Sequence, residues 1–267
     1  MSHLPIGVFD SGVGGLSVLN ALREALPHER FVYFADTAHA PYGERGDAYV
    51  AGRTRAVARH LLERHQIKAL VVACNTATAA AIHELRAEHP ALPVVGVEPA
   101  LKPAVAISRT GHIAVIATRG TVESRKFESL RASLAAQAVF SIVPCDGLAG
   151  AIERDDAAQI GSLSQRYLEA AGVFGSAPGQ IDTLVLGCTH YPFIADELRR
   201  HAGAAVRFID TGAPVAQQAR RLLSQAEVLA EAGDGGVALL CSGAPDALDA
   251  AAARWLRLPA ERAAAVA

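Results

Sequence analysis

Short runs of β-branched and aliphatic residues alternate with longer amphipathic stretches along almost the whole chain, and few architectures accept that pattern. Ile6–Phe9, Phe31–Ala35, Leu70–Ala73, Val94–Val97, Ile113–Ile116, Val139–Val143, Leu184–Leu186, Val206–Ile209 and Val237–Leu240 read as strands. Leu16–Leu26, Ala48–His65 and Phe193–His201 read as helices between them. Strands that alternate with helices build a mostly parallel sheet, and its functional residues gather in loops at the carboxyl ends of the strands. The fold expected is therefore α/β, with the chemistry in the segments that follow strands.

The two halves of the chain also echo each other in order, though weakly in residue identity. Ile6–Phe9 leads to Ser11 and a run of glycines, and Ile113–Ile116 leads to Thr118 and Gly120. Leu70–Ala73 delivers Cys74-Asn75-Thr76, and Leu184–Gly187 delivers Cys188-Thr189-His190. This predicts two pseudo-symmetric α/β domains with mostly parallel sheets facing a central cleft. The first is expected to be discontinuous, residues 1–97 plus 211–267, and the second to span 98–210.

With 267 residues and 51% hydrophobic content the chain can bury one large or two modest cores. The formal net charge is only -2 and the signs are interspersed, so no footprint for a nucleic-acid backbone or an anionic membrane stands out. No apolar run is long enough to span a bilayer, and Met1-Ser2-His3-Leu4-Pro5 lacks the basic and apolar regions of a signal peptide. A cytoplasmic protein acting on a small molecule is the class that remains, and the sequence leaves a homodimer open. Four cysteines, Cys74, Cys145, Cys188 and Cys241, lie far apart with no Cys-x-x-Cys. That spacing argues against a disulfide framework, against common zinc sites, and for a reducing compartment.

Cys74 and Cys188 each follow an apolar strand and precede a predicted helix, with Thr76 as a plausible N-cap of the first and Pro192 suited to the first turn of the second. A thiol at a helix N-terminus has its thiolate favoured by unsatisfied N–H groups and the helix dipole. Most strand-end cysteines simply pack, but two in matching contexts have a chemical use. Inverting a stereocentre requires a proton removed from one face of Cα and one returned to the other, and a thiolate and a thiol on opposite sides meet that need. Cys145 and Cys241 lack a matched setting and read as structural.

Asp10, at the end of the first strand, and His190, two residues past Cys188, are candidate helpers, although each alone is equally readable as a turn or helix-start residue. Ser11, Asn75, Thr76, Thr118, Thr121 and Thr189 are small donors at strand ends, suited to carboxylate binding or to helix capping. The only lysines are Lys68, Lys102 and Lys126, none in a setting like the Schiff-base lysine of a pyridoxal enzyme, so cofactor-free chemistry is expected.

Together, Phe9-Asp-Ser-Gly-Val-Gly-Gly-Leu16, Pro41-Tyr-Gly43, Ala73-Cys-Asn-Thr-Ala77, Val97-Glu-Pro-Ala100, Thr118-Arg-Gly-Thr-Val122 and Gly187-Cys-Thr-His-Tyr-Pro192 resemble the glutamate racemases of the aspartate/glutamate racemase family. They occur in the family's order and cover nearly the whole chain. The resemblance implies a pseudo-symmetric two-domain fold, an isomerase needing neither cofactor nor metal, and D-glutamate supplied to peptidoglycan synthesis, hence to cell-wall biogenesis and cell shape. It implies Cys74 as the base for D-glutamate and Cys188 as the base for L-glutamate. Asp10-Ser11, Pro41-Tyr42-Gly43, Asn75-Thr76 and Thr189-His190 match substrate-contacting segments, with Thr118 and Thr121 as further donors. Glu153 resembles the family's acidic residue near the second cysteine, while Cys145-Asp146-Gly147-Leu148 departs from the Cys-Pro-Leu-Phe-like run of many members.

Three other readings compete. Gly12-x-Gly14-x-x-Ser17 after a strand, with Asp36 ending the next, partly matches a dinucleotide fingerprint but lacks its third glycine. A thiol hydrolase would use Cys188 and His190 and leave Cys74 idle. An amino-acid-binding protein of two lobes would need no thiols. Within the favoured class, an aspartate or related amino-acid racemase differs only by the depth of the site.

Overall fold

The structure, a computed structural model, describes residues 3–257 and 260–266. Its strands, in chain order, are β1 (Ile6–Asp10), β2 (Phe31–Ala35), β3 (Ala69–Val72), β4 (Val94–Gly96), β5 (His112–Ala117), β6 (Val139–Pro144), β7 (Thr183–Gly187), β8 (Arg207–Ile209), β9 (Val237–Cys241) and β10 (Ala264–Ala265). The chain forms two compact units, one made by the segment up to Val97 and the segment from Gly212 onward, the other by Glu98–Thr211.

In the first unit the strand order is β10-β9-β2-β1-β3-β4, and every pairing is parallel. All residues of β1, β2 and β3 are buried, which is why these strands read as continuous apolar runs rather than as alternating ones. Gly7 in β1 leaves room for a neighbour: a Cβ there would stand 2.8 Å from Ile67 Cδ1, so that side chain would have to shift. The returning C-terminal segment is held by a buried ion pair, Lys68 Nζ to Glu29 Oε2 at 2.6 Å. Lys68 also donates to the Val228 carbonyl, and Glu29 accepts from the Ala230 N–H.

The second unit repeats the central order as β6-β5-β7-β8, again all parallel. Thus β5, β6, β7 and β8 correspond to β1, β2, β3 and β4, and β9 and β10 are additions to the first sheet. The expected echo between halves is an equivalence of topology, carried by strand order more than by residue identity.

Each expected strand is present with its ends moved by one residue at most. The two-residue β10 was not anticipated, because Ala264–Ala265 is too short to show a period. The helix expected over Phe193–His201 is instead a 3-10 turn, Tyr191–Ile194, followed by an α-helix, Ala195–Ala202. Pro192 is the second residue of that turn, where a missing N–H costs nothing. Among the described residues no helix is long and apolar enough to cross a membrane.

Candidate functional site

In the first unit, β3 runs beside β1 with Val72 opposite Phe9, so Cys74 emerges next to the end of β1. Cys74 is itself the N-cap of the helix Asn75–Glu88, and its Sγ accepts from the Ala77 N–H at 3.4 Å. This corrects the expectation of Thr76 as the cap: Thr76 lies inside the first turn, and the sulfur takes the place a serine oxygen would fill. The Cys74 thiol points to Ser11 Oγ at 3.7 Å, and Ser11 donates to Asp10 Oδ1 at 3.1 Å. Asp10 is fully buried, and it rests against the start of the helix Leu16–Ala25: a Cβ on Gly15 would lie 2.7 Å from Asp10 Cβ and 2.9 Å from Oδ2. That position favours negative charge. Asp10 thus reaches Cys74 through the Ser11 hydroxyl.

Asn75 follows Cys74 and is buried, yet among the described residues neither its Oδ1 nor its Nδ2 has a hydrogen-bond partner. A buried amide left unpaired costs roughly 1–3 kcal/mol, so such a group calls for an explanation. Pro41, after a cis peptide bond, opens the Tyr42–Glu44 turn that carries Gly43. The Tyr42 ring packs on Phe9 at 6.2 Å between centroids, in the same cluster as Cys74. Its hydroxyl donates to Asp36 Oδ2 at 2.5 Å. Burial and the Asp36 carboxylate push its ionisation far above the usual tyrosine range, so it stays a donor.

In the second unit Ala117, ending β5, lies opposite Gly187 of β7 and Pro144 of β6. Cys188 follows β7 as Cys74 follows β3. Cys188 precedes the short 3-10 turn rather than the helix that was expected, so its charged partner is a side chain. Cys188 Sγ stands 3.5 Å from His190 Nδ1, and His190 Nε2 stands 2.6 Å from Glu153 Oε1. Burial opposes charge on His190, but the hydrogen bonds to Cys188 and Glu153 outweigh it and hold the imidazolium well above the usual histidine range. The ring thus bridges the two groups, with one nitrogen toward the Cys188 sulfur and the other toward the Glu153 carboxylate. Thr118 and Thr121 pair through their hydroxyls at 2.9 Å, beside the end of β5, and Thr189 is buried next to Cys188.

The other two thiols have different surroundings. Cys145 is buried after β6, its thiol donates to the Val143 carbonyl, and burial followed by the nearby Cys188 pushes its ionisation up. It and Cys188 follow strands two apart in the sheet, which at about 4.8 Å per strand exceeds the ~7 Å Cα separation a disulfide allows. Cys241 donates to the Gly243 carbonyl, and its burial also pushes it up.

Asp36 has a role the sequence did not disclose. Its carboxylate is fully buried and bound by Tyr42 and by both Nε and Nη2 of Arg53. No lone carboxylate is left there to receive a ribose hydroxyl, and the dinucleotide reading fails on that residue. No sequence period marks Arg53 as its partner, because the contact joins a strand end to a helix. Gly15 was likewise missed as the residue that makes room for Asp10.

Residues 6–219 match the family described as Asp/Glu/Hydantoin racemase. The chain is 46% identical over 241 residues to the glutamate racemase of Stutzerimonas stutzeri (strain A1501), a match covering 90% of this chain and 89% of that one. Among solved structures it resembles glutamate racemase isoform RacE1 from Bacillus anthracis, with TM-score 0.87 and 31% identity over 100% of this chain and 98% of that one. It also resembles Escherichia coli glutamate racemase in complex with L-glutamate and the activator UDP-MurNAc-Ala, with TM-score 0.84 and 30% identity over 99% and 98% of the two chains.

Proposed function

The chain belongs to the Asp/Glu/Hydantoin racemase family, which makes it an isomerase, and we propose that it interconverts L- and D-glutamate by acid/base chemistry at Cys74 and Cys188. The observation that carries this reading is the matched pair of thiols. Each follows the equivalent strand of its unit, and each is linked to a carboxylate, Cys74 through Ser11 to Asp10 and Cys188 through His190 to Glu153. A thiol hydrolase would account for the second set and leave the first without a task.

In the proposed reaction Cys188, as thiolate, takes the Cα proton of L-glutamate, and Cys74, as thiol, delivers its own to the opposite face. The reverse direction exchanges the roles, so each turnover leaves the two thiols in swapped states. The His190 ring, held by Glu153, stands within hydrogen-bond reach of the Cys188 sulfur and is placed to exchange a proton with it. The Ala77 N–H at the start of its helix favours the thiolate of Cys74, and Ser11 with Asp10 forms a path for its proton. The unpaired amide of Asn75, the hydroxyls of Ser11, Thr76, Thr118, Thr121 and Thr189, and the Pro41-Tyr42-Gly43 turn are the proposed ligands of the substrate's two carboxylates and ammonium. The product D-glutamate would serve peptidoglycan synthesis in the cytoplasm.

The direct test is optical rotation of L-glutamate exposed to the purified protein without added cofactor, with D-glutamate and L-aspartate alongside. Decay of rotation to zero from both glutamate enantiomers is expected. Faster decay with L-aspartate would reassign the substrate, and no decay with any of the three would remove the racemase reading.

A further inference from the structure

Asp36 follows β2 and takes no part in the proposed proton path, yet its carboxylate is bound from several sides. Arg53, from the helix Asp47–His65, grips both of its oxygens at 2.9 and 3.0 Å, and the Tyr42 hydroxyl adds a third bond at 2.5 Å. Ser242 hydrogen-bonds Asp36 and also accepts from the Ala38 N–H at 3.2 Å. A Cβ on the next residue, Gly243, would overlap the Thr37 hydroxyl. The segment that leaves β2 is therefore fixed from a helix, from its own tyrosine and from the end of β9, before it reaches the Tyr42–Glu44 turn.

Burying a carboxylate, even against a half-buried arginine, is a costly way to gain stability, since apolar residues of similar volume often do as well or better. Its advantage is direction: an arginine fork and a carboxylate fix a geometry that apolar packing leaves loose. Here the fixed geometry ends on Tyr42, whose ring shares a packed cluster with Cys74. Because Asp36 takes the Tyr42 hydroxyl, what the turn can present to a ligand is its backbone.

We propose that Asp36 and Arg53 are positioning residues that hold the Pro41-Tyr42-Gly43 turn in its substrate-binding geometry beside Cys74. The inference rests on the reading of that turn as part of the glutamate site. Loss of the tether should weaken substrate binding and leave the proton-transfer steps nearly intact.

The deciding variant is Tyr42→Phe, which cuts the tether and leaves the Asp36–Arg53 pair whole. Arg53→Ala leaves a buried carboxylate without its cation, and Arg53→Lys keeps the charge without the two-point grip. Hydrogen exchange of peptides covering residues 37–46 is measured on the free proteins, together with KM and kcat for both glutamate enantiomers. In Tyr42→Phe, exchange in this segment should quicken while the rest of the unit is unchanged. KM should rise about 10- to 100-fold, the range for losing a hydrogen bond to a charged group, with kcat within roughly threefold. Arg53→Lys should lie between wild type and Arg53→Ala. Unchanged exchange in Tyr42→Phe overturns the tether whatever the substrate is. Faster exchange with an unaltered KM overturns its role in binding, as does a loss confined to kcat. Faster exchange in a protein whose wild type ignores glutamate supports the tether and overturns the substrate assignment instead.

Discussion

A thiol is a weak base until something near it favours the thiolate, and the two thiols have different polar neighbours. Cys74 takes a backbone N–H at the start of a 14-residue helix, whereas Cys188 takes the imidazolium of His190. Replacing either Cys74 or Cys188 by Ala should lower racemisation by at least about 10²–10⁴-fold, whereas Cys145→Ala and Cys241→Ala should keep it. Near-normal turnover by either of the first pair would remove the two-thiol mechanism. Glu153 offers a second test, through pH. The folded protein raises the pKa of His190, so this group's contribution to stability is complete below the unfolded value of about 6.5. It is lost as pH rises through the elevated folded value. Glu153→Gln removes one support of the charged imidazole. The stability gap to wild type, read from urea midpoints, should therefore narrow as pH is raised from about 6.5, and a gap constant across that range would show that the carboxylate does not hold the imidazolium. Both cysteines were legible from sequence because each follows a recognisable strand and precedes a helix or turn start. The spatial link from His190 to Glu153 was not, since it joins a loop to the end of the helix Leu148–Glu153, and only family resemblance pointed to it.

Elements place these residues by close packing at strand ends. Gly187 immediately precedes Cys188, and a Cβ there would come within 2.8 Å of Ala117 Cβ and 3.0 Å of the Ile116 carbonyl oxygen. Neither neighbour is the far end of a flexible side chain, so Gly187→Ala must shift β7 against β5. The expected cost is about 1–3 kcal/mol of stability, with a loss of activity at temperatures where the variant is still fully folded. Gly52, within the helix Asp47–His65, is the contrasting case: it has nothing within 4 Å of a built Cβ. Gly52→Ala should stabilise the protein by roughly 0.5–1 kcal/mol, and a drop in melting temperature would show that the helix there is not free to accept a side chain. Sequence patterns located these strands and helices well because the buried parallel strands leave continuous apolar runs. They failed on the contact between Gly187 and Ala117, because the register between strands distant in sequence is not written in either one, and on the 3-10 turn after Cys188, because a proline at this place suits an α-helix start equally well.

At the level of the whole molecule, the same strand order occurs twice, and each copy contributes one cysteine after its equivalent strand. The order of motifs made that duplication legible in the sequence, while the added strands β9 and β10 blurred it. If each copy supplies one acid/base group, as proposed, the hydrogen that is moved should report it. If Cys188 removes the proton from L-glutamate and Cys74 delivers a different one, the delivered proton came earlier from solvent. D-glutamate formed in heavy water should then carry deuterium at Cα from the first turnover, while unreacted L-glutamate stays protiated as long as product release outpaces return. A single base reaching both faces would pass some of the original hydrogen to product. The scheme also needs one thiolate and one thiol in the free enzyme, so kcat/KM should fall at both low and high pH, with midpoints that belong to the coupled pair. Mass spectrometry of D-glutamate collected at low conversion separates the two cases: a substantial protiated fraction, after correction for residual light water, is incompatible with two bases.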